Sequence, residues 1–268
     1  MTPPGAAGCL QPTSNHADIV SENEQESESF LSHLVELRDR LLRAIIALLV
    51  AFLALVPWSK DIYAWLAKPM LAKLPAGVAM IATEVTSPFF IPIKVTLLTA
   101  VVLALPVVLY QIWAFVAPGL YAHEKKLVGP LVFVSTVLFL LGMAFAYFLV
   151  FPIVFGVMKT FTPEGVAWMP DIGAYFGFVV NMFLAFGITF EVPIAVILCV
   201  KAGIISVAKL REIRPYVIVG AFVVAAIVTP PDVLSQLLLA VPLCLLYEVG
   251  ILVAAVMVRG SAPTESVL

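Results

Sequence analysis

The run LVGPLVFVSTVLFLLGMAFAYFLVFPIVFGVM, residues 127–158, contains no Asp, Glu, Lys or Arg. A helix needs about 20 apolar residues to cross the hydrocarbon core of a bilayer, so this run is long enough to span one. Across the 268 residues, 62% are hydrophobic and 12% are charged. A soluble domain carries roughly 45–50% apolar and about 25% charged residues. The composition therefore predicts an all-α polytopic membrane protein and excludes an ordinary soluble enzyme, a disordered protein and a nucleic-acid binder.

Further apolar runs with few charges bring the predicted number of transmembrane helices to six. We place the spans at about residues 43–58, 92–117, 126–151, 174–200, 214–229 and 233–257. The last two are separated by TPPD, residues 229–232, because a Pro-Pro pair ends a helix, and both are expected to be short. Prolines at membrane depth predict kinked helices: Pro106, Pro118, Pro130, Pro152, Pro193 and Pro242.

The polar ends predict the domain organisation and the orientation. Residues 1–29 are rich in Pro, Gly, Ser and Glu and lack Lys and Arg, which is typical of a disordered acidic tail and excludes a signal peptide. Residues 30–258 form the predicted membrane domain and residues 259–268 a C-terminal tail. Ten of the 15 Lys and Arg residues flank the spans on the side of both termini, so both termini are predicted to be cytoplasmic. The longer loops, about 58–90 and 159–173, would face outside.

The segment FLSHLVELRDRL, residues 30–41, predicts an amphipathic helix at the cytoplasmic interface. Its carboxylate Glu36 shares one flank with Arg40, whereas Arg38 lies on the other. The simplest interpretation is an i,i+4 ion pair between Glu36 and Arg40 on a solvated face. The apolar stripe that faces the membrane consists of Phe30, Leu34, Leu37 and Leu41.

A second carboxylate on the same predicted face is Glu124, in APGLYAHEKK, residues 117–126. Local pairing with Lys125 or Lys126 is the simple alternative for this side chain. Two carboxylates on one face would also suit a dibasic peptide. Arginine is then the natural partner, because its planar guanidinium binds carboxylates bidentately.

Two carboxylates lie within predicted spans: Glu191 in the fourth and Glu248 in the sixth. Ionisable groups at membrane depth are costly and are functional candidates by default. A proton-coupled small-solute transporter using these two residues is therefore an alternative hypothesis. This transporter hypothesis predicts an internal repeat in the sequence, and none is evident.

Enzyme chemistry has little support in the sequence. The three histidines, three cysteines and scattered acidic residues form no zinc motif, nucleophile elbow or disulfide framework, and no Gly-rich phosphate loop is present. A membrane-embedded hydrolase would need a nucleophile–base pair at membrane depth. We therefore predict no enzyme activity, no cofactor and no metal.

Several stretches, in one order from about residue 30 to 258, resemble the TatC family, the signal-recognising subunit of the twin-arginine protein translocase. They are HLVELRDRL (33–41), SPFFIPIK (87–94), YQIWAFVAP (110–118), LYAHE (120–124), GMAFAY (142–147), FEVP (190–193), RPY (214–216) and TPPDVLSQ (229–236). The resemblance implies six spans in a concave, glove-like wall in the bacterial inner membrane. It also implies that the protein receives folded cargo for export driven by the proton-motive force.

The resemblance also implies site residues on the cytoplasmic face. Glu36 and Glu124 match the family's two glutamates that bind signal peptides with two consecutive arginines. Arg38 belongs to the same N-terminal motif, and Phe115 matches a functionally sensitive aromatic residue. We expect Arg38 and Arg40 beside Glu36 to keep its carboxylate ionised until the arginines of a signal peptide compete for it.

The remaining matches concern the membrane interior and partner subunits. Glu191 matches the polar residue that faces the concavity. Thr229 and Gln236 match polar, lipid-facing positions where the fifth and sixth spans meet partner helices. By resemblance, those partners are single-span TatA- and TatB-type subunits in an oligomeric complex within the bilayer.

Overall fold

The computed structural model describes residues 15–72, 74, 79–120, 128–163, 165–166, 168–229 and 232–260. Within these ranges the predicted all-α architecture is confirmed, and an isolated Ile81–Asp171 bridge is the single β-pairing. A 3-10 turn at Val56–Trp58 joins α1 to α2, and a π-helical turn at Ala146–Val150 joins α4 to α5. The α-helices are α1 (Asn15–Leu55), α2 (Ser59–Leu71), α3 (Ser87–Leu120), α4 (Val128–Phe145), α5 (Phe151–Thr160), α6 (Ile172–Lys201), α7 (Val207–Glu212), α8 (Arg214–Val228) and α9 (Val233–Gly260).

Five helical stretches in the described residues are long and apolar enough to cross a membrane: Leu34–Leu71, Ser87–Phe115, Gly129–Thr160, Ile172–Lys201 and Val233–Val258. Helix α8, the predicted fifth span, is apolar but has only 15 residues. At 1.5 Å per residue it measures about 22 Å, less than the roughly 30 Å of a hydrocarbon core. The Arg-Pro pair at its start and the Pro-Pro turn after Thr229 limit its length.

The N-terminal region differs from the predictions at two places. Helix α1 already begins at Asn15, although the sequence predicted a disordered tail as far as residue 29. Residues 15–55 contain no Pro or Gly, whereas five such residues occur before residue 13, so nothing in the acidic segment breaks a helix. The predicted outer loop at 58–90 contains α2, whose 13 residues continue the apolar helical stretch Leu34–Leu71 beyond α1.

The long helices pack side by side in the order α1, α3, α4, α6, α9, α8, each mainly against its neighbours in this order. Helices α1 and α8 therefore stand at opposite ends of an open arrangement. Both expose large apolar side chains, such as Ile46 on α1 and Ile227 on α8. Surfaces of this kind require lipid or partner helices rather than water.

The largest cluster of buried side chains lies around α6 and is rich in aromatic rings. Phe151, Phe176 and Phe186 are fully buried, and the ring of Phe151 lies 5.3 Å from that of Phe183. Helices α4 and α6 approach closely at Gly142, where an added Cβ would lie 2.4 Å from the carbonyl oxygen of Phe186. A side chain at this position would push the two helices apart.

Two loops are tied together at one end of the molecule, which we call the Asp171 end. The carboxylate of Asp171 accepts hydrogen bonds from the backbone N–H and hydroxyl of Thr83, at 2.9 and 2.8 Å, and caps α6 through Ala174 N–H at 3.0 Å. These donors, the backbone N–H of Thr83 first, lower the pKa of Asp171 to about 2. The tie fixes the loop before α3 against the loop before α6.

Candidate functional site

Glu36 lies in α1 and is held by a neighbour one helical turn further on. Its Oε1 accepts hydrogen bonds from Arg40 Nε at 2.9 Å and Arg40 Nη2 at 2.6 Å, which confirms the predicted i,i+4 pair. We expected Arg38 to act on Glu36 as well. In the structure, Arg38 Nη2 instead donates to the carboxylate of the adjacent Asp39 at 2.9 Å. Residues 36 and 38 point to different flanks of the helix, so Arg38 reaches its own neighbour more easily.

Glu36 lies level with the end of α3. Helix α2, which follows α1, is bonded to the start of α6 through Tyr175 OH and the carbonyl of Leu66, at 2.9 Å. Helix α1 therefore ends, and α3 begins, at the Asp171 end, and the two run antiparallel. Ala51 packs in one cluster with Ala100 and Ala104. About four helical turns back from Ala51 lies Glu36, and about four turns beyond the α3 alanines lie residues 115–119.

Phe115, on that last part of α3, is half-buried. Glu124 falls within residues 121–127, outside the described residues. The described chain thus brings Glu36 to the level of Phe115 and of the segment that leads to Glu124.

Glu191 lies between helices in the middle of α6. Both of its carboxylate oxygens are buried and have no hydrogen-bond partner among the described residues. The hydroxyl of Ser135 on α4 lies beside this carboxylate without hydrogen-bond geometry and accepts a bond from Trp113 Nε1 on α3 at 2.9 Å. Helices α3, α4 and α6 thus each contribute one polar group here.

The structure corrects the expected setting of Thr229 and adds a contact for Gln236. Thr229 is buried rather than lipid-facing, and its hydroxyl donates to the carbonyl of Ala225 at 2.8 Å. A threonine that bonds back to residue i−4 can be buried at low cost. Gln236, which is half-buried, donates from Nε2 to the carbonyl of Phe222 at 3.1 Å, so its amide joins α9 to α8.

An ion pair between α8 and α9 was not predicted. Arg214 Nη2 lies 2.7 Å from Glu248 Oε2, and both side chains are partly exposed. Nearby, Tyr247 OH donates to the carbonyl of Leu210 at 2.8 Å. We call this region the Arg214 end. Arg214 and Glu248 are 34 positions apart in the sequence. The sequence shows an arginine at the start of one helix and a glutamate within an apolar run, but it does not indicate that the two side chains meet.

Glu191 and Glu248 are therefore in different settings: Glu248 is engaged by Arg214, whereas Glu191 is not ion-paired within the described residues. A proton relay through both carboxylates loses support, because the carboxylate of Glu248 already has a side-chain partner in Arg214. In the described parts of the chain, no group of three or more His, Cys, Asp or Glu side chains is arranged to hold a metal ion.

Comparison with known proteins gives one consistent result. Residues 32–242 match the family model described as TatC, Sec-independent protein translocase protein. The Sec-independent protein translocase protein TatC of Halothiobacillus neapolitanus is 55% identical over 238 residues, which is 89% of this chain and 64% of that protein. The chain thus spans less than two thirds of that relative. The protein of the same name from Haemophilus influenzae is 53% identical, over 87% of this chain and 91% of its own length.

A solved structure shares both the fold and the sequence pattern. The crystal structure of the twin-arginine translocase receptor TatC superposes with a TM-score of 0.76 and 41% sequence identity. The superposition covers 85% of this chain and 100% of that one.

Proposed function

The chain belongs to the TatC family of Sec-independent protein translocase proteins, and from this premise we propose that it binds signal peptides that carry two consecutive arginines. As a family member with several apolar helices, it is a multi-pass membrane protein and a component of a protein-transport system rather than a catalytic enzyme. The proposal concerns what it binds and where.

The observation that carries the proposal is the contact between Glu36 and Arg40. Both bonds come from one guanidinium and end on one carboxylate oxygen, so Glu36 is already arranged to bind an arginine side chain. An arginine of the signal peptide would replace Arg40 on Glu36, and the second arginine would bind Glu124. Lysine would bind more weakly, because its ammonium cannot form the planar two-bond contact.

The apolar part of the signal peptide would then lie along the open row of helices. Glu191 is the acceptor in that region, since its buried oxygens are positioned to receive a donor from an inserted peptide or helix. In this proposal the face with Glu36 is cytoplasmic, both termini are cytoplasmic, and α8 serves as the short fifth span, which brings the total of this bacterial inner-membrane protein to six.

We further propose that single-span TatA- and TatB-type subunits pack against α8 and α9. Four exposed side chains form one helical stripe on α8, spaced by three or four residues: Tyr216, Val219, Val223 and Ile227. Such a stripe suits an apolar partner helix. Gln236 offers hydrogen bonds near its end, each worth about 0.6–2 kcal/mol in a membrane. Export of folded cargo by this assembly would use the proton-motive force.

Peptide binding to the purified protein in nanodiscs tests the proposed receptor function. The probe is a labelled twin-arginine signal peptide, compared with the same peptide carrying two lysines. We expect the arginine peptide to bind at least about tenfold more tightly, since charge-assisted hydrogen bonds contribute about 1.5–3 kcal/mol. Glu36→Gln and Glu124→Gln should each remove most of this preference.

The matched control is Glu212→Gln. Glu212 is another exposed glutamate in an ion pair, with Lys209 at 3.0 Å, and it lies outside the proposed site. Its loss should leave both affinities unchanged. Normal binding of the arginine peptide to Glu36→Gln would overturn the proposal.

A further inference from the structure

A groove of two connected cavities runs between α3 and α6 from the Asp171 end toward the middle of these helices. The first cavity has a volume of about 570 Å³ and the second about 370 Å³. They share Ile91, Lys94 and Gly173 in their walls. Among the described residues, its walls include neither Glu36 nor Glu191, nor any residue of the proposed partner surface on α8.

The first cavity is polar and carries both signs of charge. Lys94 lines it together with the carboxylates of Glu84 and Asp171. Lys94 is exposed and makes no ion pair within the described residues, whereas Ser87 donates its hydroxyl to Glu84 at 3.3 Å. Asp171 is held ionised by its three hydrogen bonds. One cation and two anions therefore face one space without neutralising each other directly.

Apart from the shared Lys94 and from Asn181, the second cavity is apolar, and its walls include Leu97, Val101, Phe176 and Leu184. The missing side chain of Gly177 leaves this cavity open, since a Cβ added there would meet nothing within 4 Å. Helices α3 and α6 both begin at the Asp171 end, so the polar cavity lies at the level of lipid headgroups and the apolar cavity at the level of acyl chains. This order of polar and apolar parts is that of a phospholipid molecule.

We propose that the groove is a binding site for a phospholipid whose headgroup carries a primary ammonium and a phosphodiester, namely phosphatidylethanolamine. Lys94 binds the phosphate, Glu84 and Asp171 receive the ammonium, and one acyl chain lies along Gly177. The site selects against phosphatidylcholine, since a quaternary ammonium has no N–H to donate to the carboxylates. It selects against phosphatidylglycerol, since that headgroup brings no cation to them.

Native mass spectrometry of the purified protein tests this site, with dioleoyl forms of the three phospholipids added at equal concentration. We expect one phosphatidylethanolamine to be retained about five- to tenfold more than either competitor, a difference typical of one charge-assisted contact. Glu84→Gln should abolish the selectivity, because it removes a carboxylate that receives the ammonium, whereas Lys94→Gln should lower retention of all three lipids. Gly177→Leu should lower retention of the lipid, because its side chain fills the apolar cavity.

Two variants control for charge and for bulk. Lys60→Gln removes an exposed lysine from α2, and Gly156→Leu adds a side chain to α5 where a Cβ would meet nothing within 4 Å. Neither should change lipid retention. A melting temperature within about 2 °C of wild type shows that Glu84→Gln, Lys94→Gln and Gly177→Leu are folded, since larger shifts accompany a stability loss near 1 kcal/mol. Equal retention of the three lipids, preference for phosphatidylglycerol, unchanged selectivity in folded Glu84→Gln, or unchanged retention in folded Lys94→Gln would each overturn the proposal.

Discussion

The region around α6 and the end helices α1 and α8 are made of similarly apolar residues, but those residues contact different things. Phe151, Phe176 and Phe186 are fully enclosed by protein. On α8, by contrast, Ile227 is 79% exposed, and α1 has similar exposed residues between Leu34 and Leu53. Apolar composition alone therefore does not make a core in a membrane protein. Packing does, because lipid is as apolar as a leucine side chain and provides no hydrophobic driving force between helices.

Because of this difference in packing, we expect the region around α6 to determine stability and the end helices α1 and α8 to determine binding. The region around α6 provides a rigid support, while the end helices leave surfaces that a partner helix or a peptide can cover. Functional candidates follow the same division. Glu36 lies on α1, and Gln236 joins α9 to α8, whereas the carboxylate oxygens of Glu191 are buried between the packed helices.

The largest effect is expected from Phe151→Ala. Phe151 is fully buried and contacts several rings, so its loss leaves a cavity and should cost about 3 kcal/mol of unfolding free energy. Phe148, three residues earlier and 73% exposed, is the matched control and should cost less than about 1 kcal/mol. Thermal unfolding in one detergent, followed by circular dichroism, measures both. Equal losses would show that lipid-facing and enclosed aromatic rings contribute alike.

A smaller effect is expected at the contact of α4 with α6. Gly142→Ala places a Cβ against the carbonyl oxygen of Phe186 and should cost about 1–3 kcal/mol through separation of the helices. Gly220→Ala on α8 meets nothing within 4 Å, and it should be neutral or stabilise by up to about 1 kcal/mol through higher helix propensity. The same melting experiment compares them. A stable Gly142→Ala would mean that α4 and α6 can repack.

The ion pair between Arg214 and Glu248 tests how α8 is held at its edge. A double-mutant cycle with Arg214→Gln and Glu248→Gln should give a coupling energy of about 0.5–1 kcal/mol, since both side chains are partly exposed. Chemical or thermal unfolding of the four proteins provides the values. A coupling energy near zero would assign the attachment of α8 to packing alone.

The smallest effect concerns pH at the Asp171 end. Because hydrogen bonds lower the pKa of Asp171 to about 2, its ionised form stabilises the fold above the ordinary aspartate pKa near 4. That stabilisation is lost as the pH falls from about 4 toward 2. The melting temperature of the wild type should therefore fall more over this interval than that of Asp171→Asn, whose side chain has no carboxylate to protonate. If the melting temperatures of the two proteins fall in parallel with pH, the contact between Thr83 and Asp171 does not depend on the charge of Asp171.

The sequence predicted the parts of the fold that the membrane itself dictates. Long apolar runs with few charges must cross the bilayer as helices, and the fourth predicted span at 174–200 lies within the helix Ile172–Lys201. Spacing along a single helix was equally informative, and the pair of Glu36 with Arg40 follows from it. Helix α2 was missed because it is amphipathic and short, and the helix over residues 15–29 because its composition is polar.

Contacts between distant segments could not be predicted. The Arg214–Glu248 pair depends on how α8 and α9 are rotated about their axes, and apolar runs contain almost no information about rotation. The burial of Thr229 depends in the same way on contacts that the apolar pattern of α8 does not encode. The family resemblance assigned roles to residues that composition alone left ambiguous, such as Glu36, and those roles are what the binding experiment tests.

The tie between Thr83 and Asp171 has a consequence for how the protein is made. The two residues are 88 positions apart, and a ribosome adds about 5–20 residues per second, so roughly 4–18 s separate their synthesis. During that interval the loop before α3 has emerged without its partner. The loop can be secured only after α6 has begun to insert, so the order of synthesis delays closure of this end until most of the helices are already present.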